Sequence, residues 1–208
     1  SRIIHLKAAA GLINDIGAWV MHRACRQVRA WQVNVPGQSG LAINVNLSAR
    51  QILQARFGDD VTQALAESGL DPSQLVLEIT ESTLMEDVEG VSAQLAELRR
   101  MGIRLAIDDF GTGFSSLGYL QRFPVDELKI AREFVDDVVR DPRRARLVEA
   151  VVALARSLEL VTVAEGIEEP EQRQRLLELG CAVGQGYLFS RPLPAAEVPA
   201  LLAVEAAA

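Results

Sequence analysis

The run Ile103-Arg-Leu-Ala-Ile-Asp-Asp-Phe-Gly-Thr-Gly113 is an apolar stretch of strand type that stops at two adjacent carboxylates, Asp108 and Asp109, and then turns on glycines. A strand core favours apolar side chains, and an unpaired carboxylate at its tip is costly to desolvate. A metal cation or a fixed ammonium is the natural compensation. The pattern recurs along the chain. Leu41-Ala-Ile-Asn-Val-Asn ends in Asn46, and Leu75-Val-Leu-Glu-Ile-Thr-Glu carries Glu78 and Glu81. Glu127-Leu-Lys-Ile carries Lys129, Leu160-Val-Thr-Val-Ala-Glu ends in Glu165, and Ala182-Val-Gly-Gln-Gly-Tyr-Leu-Phe carries Gln185. A strand-end Asn or Glu taken alone is more often a cap or a loop hydrogen bond, and a lone lysine is more often solvated. Polar ends on all six runs exceed what folding needs. In a βα-repeat protein, polar groups gathered at strand C-termini read as catalytic.

Strand alternation sorts these groups by face: Asn44 and Asn46 share one, as do Val76, Glu78 and Thr80. Asp108 and Asp109 point to opposite sides of a regular strand, but where the pleat gives out both can reach one metal pair. Asn46, Glu78, Asp108, Asp109 and Glu165 then make an oxygen cage for two divalent cations. Such pairs sit about 3.5–4 Å apart and activate water for in-line attack on phosphorus. Lys129 is suited to stabilising the charge that develops or to orienting the water. The chain has two histidines, His5 and His22, both near the N-terminus, which disfavours zinc and Ser-His-Asp chemistry. Oxygen ligands point to Mg²⁺ or Mn²⁺. Lys129 as a Schiff-base lysine is disfavoured, because the surrounding carboxylates hold it protonated.

The elements that must position these groups alternate between β and α. Helical composition runs from Leu6 to Trp31, Ser48 can cap the helix that follows the first strand, and Ser82 through Met101 reads as one amphipathic helix. Arg144 through Leu158 is a further helix, Glu169-Pro170 opens another, and Leu193-Pro-Ala-Ala-Glu begins the last. The fold class expected is α/β, a TIM-like (β/α) barrel in which residues 1–208 form a single domain. Six strands fall short of the usual eight, so the first two strands are expected upstream of Ser1. The net charge of −7 disfavours polymeric nucleic acid, although a small phosphorylated ligand fits if a metal supplies positive charge. Cys25 and Cys181 read as buried reduced thiols. With no apolar run of spanning length and no signal peptide visible, a cytoplasmic domain is expected, with room for a membrane anchor outside it.

Several stretches together resemble the EAL domain, the cyclic di-GMP phosphodiesterase family. They are Ile16-Gly-Ala-Trp-Val20, Ala24-Cys-Arg-Gln27, Val45-Asn-Leu-Ser-Ala-Arg-Gln51, Leu77-Glu-Ile-Thr-Glu-Ser82, the run from Ala106 to Leu117, Val125-Asp-Glu-Leu-Lys-Ile130, Val163-Ala-Glu-Gly-Ile-Glu168 and Gln185-Gly-Tyr-Leu-Phe-Ser-Arg-Pro192. The resemblance covers essentially the whole chain. It implies hydrolysis of one phosphodiester of cyclic di-GMP to linear pGpG, with two Mg²⁺ or Mn²⁺ ions. By position it makes Asn46, Glu78, Asp108, Asp109 and Glu165 metal ligands, and Lys129 and Gln185 the residues that place the attacking water. Glu81 would steady the loop from Phe110 to Ser116, Glu168 would be a carboxylate behind the ligands, and Arg191 and Pro192 would line the nucleotide site. The Glu-x-Leu motif that names the family is not in this chain and would lie upstream of Ser1. Ala131 stands where the family most often has Asp, which lowers the expected activity. A degenerate domain that binds cyclic di-GMP without cleaving it is the alternative reading. The resemblance also allows a homodimer, and sensor or diguanylate cyclase domains in a full-length protein.

Overall fold

The computed structural model describes residues 13–111 and 120–205. His5, the start of the helix expected from Leu6, and residues 112–119 after Asp109 lie outside them. Helix α1 (Ile13–Asn34) leads into strand β1 (Ile43–Leu47). Helices α2 (Ala49–Ile52) and α3 (Phe57–Ser68) and a 3-10 turn (Pro72–Gln74) precede β2 (Leu75–Thr80). Then come α4 (Glu81–Glu86), α5 (Val88–Arg100), β3 (Arg104–Phe110), β4 (Glu127–Ile130) and α6 (Arg132–Val135). The chain continues through α7 (Pro142–Ser157), β5 (Val161–Ala164), α8 (Pro170–Glu178), β6 (Val183–Gly184) and α9 (Val198–Glu205).

The six strands form one sheet in sequence order, each pair parallel, as successive βα units require. This is the α/β architecture of the TIM-like type expected from the alternation. One face of the sheet is apolar apart from Thr162, which is level with Leu128. Leu77, Ile79, Leu105, Ile107, Leu128 and Ile130 are fully buried there. The helices contribute apolar stripes at helical spacing: Met21, Cys25 and Val28 from α1, Val91, Leu95 and Leu98 from α5, and Val148 and Val152 from α7. Cys25 and Cys181 are free, buried thiols, and burial pushes the Cys25 thiol up to about 11. Among the described residues no helix is long and apolar enough to cross a membrane.

Two expected elements differ. The single helix from Ser82 to Met101 is broken at Asp87, whose φ of −150° is not helical and whose carboxylate accepts from the Gly90 amide. A capping aspartate competes with helix continuation, so two shorter helices form. The last helix begins at Val198 rather than near Leu193, after a stretch that holds Pro192 and Pro194.

Candidate active site

Strand register alone gathers the polar residues. In the parallel ladder Asn46 pairs with Glu78, Glu78 with Ala106, Ala106 with Glu127, and Lys129 with Val163. Paired residues project to the same side of a sheet, as do residues two apart on one strand. Asn44, Asn46, Glu78, Asp108, Lys129 and Glu165 therefore all fall on the face opposite the apolar one. Glu165 lies one residue past β5, where its amide still bonds to the Ile130 carbonyl and extends the ladder.

Asp109 belongs to the wrong side by this rule, and a bulge corrects it. Ile107 is level with Leu128 and Phe110 with Ile130, so β3 takes three steps where β4 takes two. Within that extra step Asp109 has φ +54°, the left-handed region, at a cost on the order of 1–3 kcal/mol for a non-glycine residue. The result is that Asp108, Asp109 and Glu165 each place a carboxylate oxygen within 4.8 Å of the others.

Lys129, 3% exposed, stands among the carboxylates. Its ammonium is 2.7 Å from Glu78 Oε1, 3.0 Å from Asp108 Oδ1 and 2.5 Å from Glu165 Oε1. Glu78 Oε1 also accepts from Asn44 Nδ2 at 2.7 Å, and Glu165 Oε1 from Gln185 Nε2 at 2.7 Å. Burial works against the Lys129 charge, but hydrogen bonds and charge from Glu165 and Glu78 outweigh it, so the ammonium is held more firmly than in a free lysine. Burial pushes the Glu165 carboxyl above the usual range, against the pull of Lys129. Asp109 is raised too, first by burial and then by the charge of Asp108. Asp108 Oδ1 is buried and accepts no hydrogen bond among the described residues, its close neighbour being the Lys129 ammonium in an ion pair. A buried carboxylate oxygen without a hydrogen bond, within a set of hard oxygen donors, suits Mg²⁺ or Mn²⁺.

The surrounding residues hold these groups in place. Glu81 starts α4, and its Oε2 accepts from the Gly111 amide at 3.1 Å, which ties down the end of β3. Gly111 has φ +94°, and a Cβ there would lie 2.9 Å from the Phe134 ring. Gln185 is clamped by its backbone: its amide bonds to Ala164 and its carbonyl accepts from Ile167. Glu168 is ion-paired to Arg132 at 2.8 Å. A cleft of about 430 Å³ opens beside Glu165 and Gln185 and is lined by Arg132, Glu168, Tyr187, Arg191 and Pro192 among others. The Arg191 guanidinium lies over the Tyr187 ring, 5.1 Å from its centre.

The structure thus unites Glu78, Asp108, Asp109, Lys129, Glu165 and Gln185, and places Arg191 and Pro192 in the adjoining cleft. Glu78 is engaged by Lys129 and Asn44 and is not one of the three closest carboxylates. Asn46 is exposed on the same face, level with Glu78. Three residues were missed. Asn44 was already placed by alternation on the face of Asn46. Arg132, three residues after Lys129, and Tyr187, two after Gln185, carried only their closeness to polar strand ends as a signal. Ala131 is buried and is the N-cap of α6, a position at which it makes no side-chain cap.

The EAL domain family model matches residues 1–192. The chain is 46% identical over 202 residues to the bifunctional diguanylate cyclase/cyclic di-GMP phosphodiesterase MucR of Pseudomonas aeruginosa, covering 97% of this chain and 29% of MucR. It therefore spans less than a third of that relative's length. The structure superposes on the MucR phosphodiesterase in complex with cyclic di-GMP with a TM-score of 0.89, at 46% identity, covering 95% of this chain and 79% of that one. Against the manganese and cyclic di-GMP complex of Klebsiella pneumoniae BlrP1 the TM-score is 0.81, at 29% identity, covering 91% of this chain and 48% of that one.

Proposed function

The chain belongs to the EAL domain family, and from that premise we propose that it is a cyclic di-GMP-specific phosphodiesterase, opening one phosphodiester to give linear pGpG. The observation that carries the reading is the carboxylate trio, with its buried Asp108 oxygen beside the Lys129 ammonium, at the mouth of an arginine-lined cleft. Asp108, Asp109 and Glu165, with Glu78 and Asn46 beside them, would hold two Mg²⁺ or Mn²⁺ ions. Such a pair supplies an activated water and offsets the charge on the phosphoryl oxygens. Gln185 fixes the direction of Glu165 and, with Lys129, positions the attacking water. The Lys129 ammonium opposes negative charge as it develops on phosphorus. Arg191 and Arg132 face the anionic substrate from the cleft, and Tyr187 offers a ring beside it. Glu81 and Glu168 act through others, the first through the Gly111 amide and the second through Arg132. The domain is proposed to work in the cytoplasm, in keeping with its reduced thiols. A homodimer and fused sensor or diguanylate cyclase domains remain part of the proposal.

Glu165→Gln keeps the shape and the contact with Gln185 but removes a ligand charge. It should lower pGpG formation by about 10²-fold or more while the circular dichroism stays native. Undiminished hydrolysis would sink the assignment. The uncapped Ala131 favours the receptor reading, and tight cyclic di-GMP binding without product in Mg²⁺ and in Mn²⁺ would establish it.

A further inference from the structure

We infer that Lys129 is a built-in competitor for the divalent-cation site, an ammonium that occupies the carboxylate cage before any ion does and sets how tightly an ion is held. The inference rests on the two-ion reading of the cage. Lys129 reaches Glu78, Asp108 and Glu165, and two of these belong to the trio that converges for a metal. Ammonium and ion therefore draw on the same two carboxylates. Without an ion, the poorly solvated Glu78, Asp108 and Glu165, with the more exposed Asp109 beside them, would repel one another, and Lys129 is the cation that offsets the first three. With an ion bound, a fixed positive charge stands close to it and weakens its hold.

The contacts show how exchange would begin. Glu165 Oε1 is already shared by Lys129 and Gln185, so an ion must use the other oxygen or displace a donor. Asp108 Oδ1 meets the ammonium at 3.0 Å without a hydrogen bond that would direct it, so an ion competes there with charge alone. Lys129 thus has two opposed effects: it holds the metal-free cage together and it lowers the affinity for metal. A water-positioning role alone predicts neither.

The test is calorimetric titration of the metal-free protein with Mn²⁺. Lys129→Met keeps the apolar stem and removes the charge; Mn²⁺ should bind about tenfold tighter or more, while cyclic di-GMP hydrolysis is lost. Lys129→Arg keeps a cation and should bind Mn²⁺ within about threefold of the parent. Unchanged or weaker Mn²⁺ binding by Lys129→Met overturns the inference. If that variant does not fold without metal, Mn²⁺ at concentrations saturating the parent should restore its fold, and failure to do so also overturns it. Absence of Mn²⁺ binding by the parent protein would instead overturn the two-ion reading.

Discussion

Asp109, Glu165 and Glu127 all have carboxyl groups raised above the usual range, and in each burial is the first cause. Glu127 keeps part of its charge through Arg104, 2.9 Å away. A raised carboxyl binds its proton in the folded chain at a pH where the unfolded chain has already ionised. The stability it contributes is present in full below the ordinary value, about 4, and is lost as pH rises through the raised ones. Metal-free protein should therefore lose stability as pH rises across the window just above the ordinary carboxylate range, as read by denaturant unfolding in chelator. Divalent ions need the deprotonated ligands, so Mn²⁺ affinity should rise across the same window. A flat profile in both measurements would show that these groups titrate normally.

The bulge in β3 is what turns a pair of adjacent residues into a pair of ligands. It is held from two sides: Glu81 at the start of α4 binds the Gly111 amide, and Phe134 of α6 packs where a Gly111 side chain would stand. Gly111→Ala adds a Cβ at φ +94° against that ring, and should cost about 1–3 kcal/mol in denaturant unfolding and loosen the Asp109 end of the cage. A stability change below about 0.5 kcal/mol would mean that α6 yields easily. Gly166 works similarly across the cleft. Its φ is +73°, and a Cβ would come within 2.4 Å of Arg132 Cγ, so the turn after Glu165 lets Arg132 lie close.

Across the whole molecule the net charge is −7, and the cations of the cleft are local. A polynucleotide needs a broad basic face, which this composition does not supply. An excess of duplex DNA should therefore leave cyclic di-GMP hydrolysis within about twofold, whereas chelator should abolish it. Strong inhibition by DNA would point to a basic surface that the net charge conceals.

The amino-acid sequence by itself determined the six strands, their parallel order and the face on which Asn46, Glu78, Asp108, Lys129 and Glu165 lie. Alternation and βα spacing are local properties, and a parallel ladder carries them from strand to strand. Three things came only from the tertiary structure: the turn of Asp109 onto that face, the break at Asp87, and the grip of Lys129 on three carboxylates from three different strands. Each depends on a register offset, a capping competition or a distance between segments far apart in sequence. The register offset and the inter-strand distances are set when the sheet and its helices pack together, and no single stretch of residues encodes them; the break at Asp87 is local, but whether the cap or the continuous helix wins is decided only in the folded chain.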